Sequence, residues 1–566
     1  MCGILGGNDE NWDYKTALNH MKYRGPNGMR MKRDKDFNMG FVRLSVMDLS
    51  ENGMQPMSSP DGKVTLVYNG EIYGFKRLKN NLLDKGYNFK SDSDTEIVLN
   101  AYLEYGDDFI YKIDGMFAIA IYDKKRGKVK LYRDRVGIKP LYYYYDGKNF
   151  AFASELDTVK VLLNNINLKI DYTALYDYLT YAYIPEPKSM YKNIFKLEPG
   201  KSVTYDVKTK KVTKPIKYWE LIPCSSVFRK RKKEDVEETI RELITESVEE
   251  QMVADVPVGS FLSGGIDSSI VTYESLKYNK SIETFSIGFS NKKFDELDYV
   301  HLMTDRFKIK QNEKIFNKKI FNILYPELRK WYGEPFADTS AFPTYLLSQL
   351  AREKVTVVLT GDGGDEIFGG YYRYKQFVEG TGKGKINNRV FSRLIERYLY
   401  ANTFIRNNQM LETVSTLCPL YEYLQRGEKK EVAKKWKISD DYDDYWYFRK
   451  HYHKDLPPIT RLQYLDFKTY LPSDILTKVD RASMQVSLEA RVPLLSKKII
   501  EYAFSLSQDE RTPNNVLKGA LKSAYMNLLP KEILNRRKMG FSIPSEFMRK
   551  NVSWQEEILK TVWKLS

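Results

Sequence analysis

Over the first 200 residues apolar positions come in short alternating or β-branched runs, which is a strand pattern rather than a helix pattern. Val64-Thr65-Leu66-Val67-Tyr68 predicts a strand by its β-branched content. Residues 116–122 (MFAIAIY) and 128–132 flank Asp123-Lys124-Lys125-Arg126-Gly127 and predict a hairpin. Residues 141–145, then Asp146-Gly147, then residues 150–153 predict a second hairpin with a tight turn. Short helices join these strands without a regular strand–helix alternation, so the first part reads as an α+β layer fold. Residues 206–233 are polar and basic, contain Pro215 and Pro223, and read as a linker. Beyond them the period changes. Val236, Ile240, Leu243, Ile244 and Val248 recur at helical spacing and predict a helix over 234–252. Apolar runs at 258–262, 284–287 and 355–360 then lead into Ser263-Gly264-Gly265, Gly288 and Gly361. Buried strands that end in glycine turns predict a parallel sheet with helices on its faces. From about 371 the chain reads as helical, aromatic and charged, with no internal repeat.

Composition narrows the class. Hydrophobic residues make up 42% of 566, enough to build cores and too many for a disordered chain. No apolar run reaches the roughly 18 residues of a membrane span. The opening MCGILGGNDE lacks a basic segment and a long apolar stretch, so neither a signal peptide nor a membrane partner is expected. Three cysteines (Cys2, Cys224 and Cys418) exclude a disulfide scaffold and fit a cytoplasmic location. The four histidines have no zinc-ligand spacing, so chemistry based on a histidine base is poorly supplied. Lys+Arg exceed Asp+Glu by 90 to 74, a net +16. The lysines are scattered, and the main cluster, Arg229-Lys230-Arg231-Lys232-Lys233, reads as a solvated linker before an acidic helix. No nucleic-acid partner is expected.

Cys2 carries the sharpest chemical signal. With Met1 removed, its α-amine, with a pKa of about 7.7–8.0, can accept the proton of its own thiol directly or through water. The thiolate then attacks a carbonyl without any histidine. Cys2-Gly3 is followed by Arg24-Gly25-Pro26, Arg43-Leu44-Ser45, Gln55-Pro56-Met57, Asn69-Gly70-Glu71-Ile72-Tyr73, Ser93-Asp94-Thr95-Glu96 and Arg133-Asp134-Arg135-Val136-Gly137-Ile138-Lys139-Pro140. This ordered set resembles the class II glutamine amidotransferases, the N-terminal-nucleophile glutaminases. The resemblance implies that Arg43 pairs with the α-carboxylate of glutamine and that Asp94 and the backbone at Gly70-Glu71 hold its α-ammonium. It further implies that Leu44, Ser45, Val46 and Met47 line the pocket, and that Asn69 with the Gly70 N–H forms the oxyanion hole. One departure is Asn27, where many members carry aspartate; no catalytic step is assigned to it.

Ser263-Gly264-Gly265-Ile266-Asp267-Ser268-Ser269 follows a buried strand and opens a helix, a place where backbone N–H groups meet an anion. It lacks the Gly-Lys-Ser/Thr ending of the kinase-type P-loop. It is similar to the PP-loop of the ATP pyrophosphatases, which cleave ATP to AMP and pyrophosphate. Thr360-Gly361-Asp362-Gly363-Gly364-Asp365-Glu366 forms a second cluster, in which Asp365 with Asp267 supplies carboxylates for Mg²⁺. The whole chain resembles the glutamine-hydrolysing asparagine synthetase family, with support from KVDRASM (478–484), EARVP (489–493) and RKMGF (537–541). The resemblance implies that Leu262, Ile287, Thr360 and Gly361 line the adenosine pocket beside Ser263, Gly264, Gly265, Asp267 and Ser268. It implies catalytic roles for Asp362 and Lys538, and charge neutralisation by Lys478, Arg481 and Lys538. Asp362 stands where the family often has glutamate, and Ser496 where it usually has aspartate; the latter is assigned to structure. The implied fold is an α+β N-terminal-nucleophile glutaminase sandwich (2–205), a linker (206–233), and an α/β parallel-sheet ATP pyrophosphatase domain with a helical C-terminal part (234–566). The implied ligands are glutamine, ATP, Mg²⁺ and a carboxylate acceptor, L-aspartate first and a uronic acid as the alternative. An internal route for ammonia is implied, and a homodimer is left open. Acceptor candidates are Glu334, Asp338 and Glu366.

Overall fold

The computed structural model describes residues 2–224, 231–379, 426–439, 441–548 and 553–565. The N-terminal part consists of two antiparallel sheets packed face to face. The first has six strands in the order Ile194–Lys196, Tyr142–Tyr145, Phe150–Ala153, Gly3–Gly7, Asn38–Arg43, Gly28–Lys32. The second runs Lys211–Val212, Lys201–Asp206, Lys128–Arg133, Asp114–Asp123, Val64–Tyr73, Met57–Ser58, with Ile216–Lys217 beside Lys201–Asp206. Both predicted hairpins form as antiparallel pairs. Phe37, Phe41, Val67, Ala118, Leu131, Phe152 and Tyr205 bury their side chains between the sheets. The outer faces are closed by the Tyr14–His20 and Leu156–Leu162 helices on one side and Asp94–Tyr105 on the other. Apolar faces on both sides of each sheet explain the near-continuous burial of strands such as Asp114–Asp123. The segment expected as linker departs from expectation at its start: short strands carry the second sheet on to Lys217. Asp206 pairs with Lys211, and Ser202 with Ile216, so backbone groups of this polar stretch are satisfied by ladder bonds.

The Lys233–Met252 helix begins with Glu234 and Asp235, which suit the positive helix start, and buries Val236, Ile240, Ile244 and Val248 along one stripe. The second domain is a five-stranded parallel sheet in the order Lys310–Phe316, Glu283–Phe289, Val258–Phe261, Val357–Leu359, Glu489–Arg491. The last strand lies within the EARVP stretch that had been expected to be helical. Three fully buried residues pair with Val357, Val358 and Leu359, too short a run to show a period. Helices follow from Pro458 to the C-terminal part. Ser496 accepts the Ile499 N–H at the start of the Lys497–Ser505 helix, the structural role expected of it. Among the described residues neither Cys2 nor Cys224 forms a disulfide; Cys418 lies outside the described residues. No helix among the described residues is long and apolar enough to cross a membrane.

Candidate functional site

Cys2 stands just before the central Gly3–Gly7 strand, half-buried. Its N–H donates to Asn69 Oδ1 at 2.9 Å and its thiol to the Leu44 carbonyl at 3.8 Å. Asn69 lies on the neighbouring sheet, in Val64–Tyr73, and is fully buried; its Nδ2 has no partner. An orphaned amide donor on the residue that holds the Cys2 backbone is a group of the kind a developing oxyanion needs. Cys2, Arg43, Leu44, Val46, Met47, Gly70, Glu71 and Asp94 surround one small cavity; Ser45 is set back from its wall, as is Asn69. Arg43 is aimed by backbone carbonyls: Nη1 donates to Ser50 O at 2.5 Å, and Nη2 to Asp48 O. Asp94 accepts from the Ile72 N–H at 3.0 Å and the Tyr68 hydroxyl at 2.8 Å. Burial pushes the Cys2 thiol and the Glu71 carboxyl up, and raises Asp94 to about 6 against those two bonds. Asn27, the departure from the family pattern, accepts the Ser45 N–H at 3.0 Å, which an amide oxygen does as well as a carboxylate.

A residue of the EARVP stretch, not expected at this cavity, completes it from the other domain. Glu489 stands on its wall, and its Oε1 accepts from Arg491 Nε at 2.7 Å. Despite burial, nearby positive charge, including Arg491 and Lys139, holds Glu489 at about 2. Arg491 also lies 3.4 Å from Glu71 and donates to the Gln251 and Val253 carbonyls at 2.7 Å each.

The second site is a cavity of about 560 Å³ at the C-terminal ends of the parallel strands, where open α/β sheets bind ligands. Leu262, Ser263, Gly265, Asp267, Ser268, Ile287, Thr360 and Gly361 line it; of the expected adenosine-pocket and PP-loop residues, Gly264 stands off the wall. Its φ of 67° turns the chain between strand and helix under Tyr299. Asp362, Asp365, Lys478 and Lys538 also line the cavity. Asp362 accepts from Thr360 Oγ1 at 2.8 Å, and burial raises its carboxyl. Asp267 and Asp365 come together as expected, bridged by Lys518, an ammonium that no motif had singled out. Despite burial, Lys518 and Lys538 hold Asp365 well below the usual carboxylate range, while burial raises Asp267. Asp267 Oδ1 is buried without a hydrogen-bond partner, so the pair fits a divalent cation.

Two expectations fail. Arg481 does not face the nucleotide cavity: it reaches across to Glu155 at 2.7 Å, because that buried carboxylate offers the nearer partner. Glu334 is no acceptor ligand: it pairs with Lys196 at 2.5 Å and accepts the Met190 N–H at 3.1 Å, both from the first domain. Asp338 and Glu366 do line the cavity. Asp338 lies 3.1 Å from Lys478, and Glu366 accepts from Tyr371 at 2.5 Å and is raised to about 7 by burial and by Asp365.

Fold and sites together define an N-terminal-cysteine amidotransferase joined to a nucleotide-binding α/β domain. The model of the glutamine amidotransferase domain matches residues 1–219, and that of asparagine synthase matches residues 239–561. The glutamine-hydrolysing asparagine synthetase 1 of Bacillus subtilis strain 168 is 33% identical, over 99% of this chain and 90% of that one. A putative glutamine-hydrolysing asparagine synthetase 2 of Methanocaldococcus jannaschii is 35% identical, over 86% of this chain and 98% of that one. The chain belongs to the asparagine synthase family.

Proposed function

We propose that the protein is a cytoplasmic, glutamine-dependent asparagine synthetase. Cys2 attacks the carboxamide of glutamine, held by Arg43 at its α-carboxylate and by Glu71 and Asp94 at its α-ammonium. Asn69 Nδ2 and the Gly70 N–H stabilise the tetrahedral oxyanion, ammonia leaves, and water releases glutamate from the thioester. In the second cavity the β-carboxylate of L-aspartate attacks the α-phosphorus of ATP, giving an aspartyl adenylate and pyrophosphate. Ammonia, delivered through the protein interior, displaces AMP from that acyl group to give L-asparagine. Adenylation is needed because a free carboxylate is a poor electrophile. The chain's own contribution is positioning and charge neutralisation by the Ser263-Gly264-Gly265 loop, Lys478, Lys518 and Lys538. Asp267 and Asp365 would hold Mg²⁺, which supplies Lewis-acid neutralisation of the phosphate oxygens.

The observation that carries this reading is one chain holding two complementary cavities. One has at its wall a cysteine whose N–H is held by Asn69, a residue with an orphaned amide donor; the other sets a PP-loop beside paired carboxylates. The test is incubation with Mg-ATP, glutamine and either L-aspartate or a uronic acid, following pyrophosphate and identifying the product by mass. Asparagine with stoichiometric AMP is the expected result; an amidated uronic acid without asparagine would move the acceptor and leave the amidotransferase chemistry in place.

A further inference from the structure

Residues 44–50 form the loop that walls the Cys2 cavity and supplies the two carbonyls that aim Arg43. Its own domain holds one side of it. Asn27 accepts the Ser45 N–H, and the Asp48 carboxylate accepts the N–H groups of Ser50 and Asp92 at 3.0 Å each. On the other side one residue of the second domain makes two hydrogen bonds to the loop. The Asp255 N–H donates to Val46 O at 2.9 Å, and Asp255 Oδ2 accepts the Asp48 N–H at 2.7 Å. Asp48 sits at φ 51°, a left-handed conformation that a non-glycine residue keeps only where its surroundings over-determine it. The apolar side of the loop follows the same direction: Leu44 and Val46 bury against Val357 and Met484, with Met47, Ala254, Val256 and Val258 around them. Val357 and Val258 belong to the two central strands whose far ends carry Thr360-Gly361 and Ser263-Gly264-Gly265.

We propose that Asp255 is a positioning residue of the glutaminase site, supplied by the synthetase domain. It clamps Val46 O and the Asp48 N–H, and so fixes the carbonyls that orient Arg43. Capture of glutamine thereby depends on the seating of the strand that leads into the nucleotide loop. The inference rests on the reading of Arg43 as the anchor of the glutamine carboxylate.

The test compares the full-length wild type with Asp255→Ala and Asp255→Asn. Asparagine keeps a side-chain acceptor for the Asp48 N–H, whereas alanine removes it. Losing one such bond predicts a rise in the KM for glutamine of about tenfold in the alanine variant. The KM values for ATP and aspartate and the ammonia-dependent rate should stay within about twofold of wild type, since neither needs the loop. The asparagine variant should recover most of the glutamine KM. An alanine variant with wild-type glutamine KM overturns the inference. So does a variant in which glutamine- and ammonia-dependent rates fall together at unchanged glutamine KM, because that is a general structural defect. Failure of the underlying reading looks different: glutamine hydrolysis by the wild type would then be absent or insensitive to Cys2→Ala.

Discussion

Asn69 meets Cys2 with its carbonyl and leaves its amide nitrogen unpaired. Asn69→Ala removes that donor and should lower the glutaminase kcat by about 10²–10³-fold, with ammonia-dependent synthesis retained. Glutamate release and asparagine formation from ammonium salts, measured on the same preparation, check this. Asp94 sets a pH limit. Burial lifts it to about 6, above its value in an unfolded chain, so the fold favours the acid form below that point. The ammonium of glutamine needs the ionised form, which prevails above it. The glutamine KM should therefore rise as pH falls through 6, and glutaminase assays from pH 5 to 8 read it directly; a flat KM would contradict the role of Asp94. Cys2 and the PP-loop residues were legible in the sequence because each is a compact motif with its own chemistry. Lys518 was not, because a lone lysine acquires meaning only from what it faces, and Glu489 was legible as part of the EARVP stretch but not as a wall of the first cavity.

The strand-end loops of the parallel sheet converge closely. A Cβ at Gly361 would lie 2.6 Å from Ser268 N and 2.8 Å from the Asp267 backbone carbon, where no side chain can yield. Gly361→Ala should push the two loops apart at a cost of about 1–3 kcal/mol. Pyrophosphate release should then fall by about tenfold or more while glutaminase activity persists, which separate assays of the two half-reactions resolve. The predicted hairpins form where strong alternation met an explicit turn, as at Asp146-Gly147. The Glu489–Arg491 strand escaped because its ladder partner lies more than a hundred residues away in sequence and its ends are charged. The polar segment after Asp206 escaped because its strands are two residues long.

The two domains share a buried ionic seam. Arg24, fully buried, donates to Glu155 at 2.8 Å, to both oxygens of Asp480 at 2.9 and 3.1 Å, and to the Cys2 carbonyl at 3.2 Å. Lys139 lies 3.9 Å from Asp480, and Ser487 Oγ donates to Tyr23 O at 2.5 Å. Arg24→Met takes from the buried Asp480 its main counter-charge and from Glu155 one of two, the other being Arg481, which costs roughly 3–5 kcal/mol. The expected result is a lower urea midpoint with loss of glutaminase activity, seen by denaturation followed in parallel with glutamate release. An unchanged midpoint would mean that Arg481 and Lys139 neutralise the seam alone. The apolar contacts run the same way, with Tyr178, Tyr181 and Ile184 of the first domain in one core with Phe336, Phe342 and Trp554 of the second.

By itself the sequence determined the order of the domains, the candidate nucleophile, the candidate nucleotide loop and most of the residues that wall the two cavities. These depend on local backbone geometry, hydrophobic period and residues adjacent in the chain, all of which a linear reading carries. The tertiary structure decided that Arg481 and Glu334 serve the domain interface, that Lys518 stands between the paired aspartates, and that Asp255 and Glu489 reach the glutaminase site. The physical reason is that a buried charge goes to whichever opposite charge or amide the packing brings within about 3 Å, and that distance is fixed by the docking of two domains rather than by any stretch of chain.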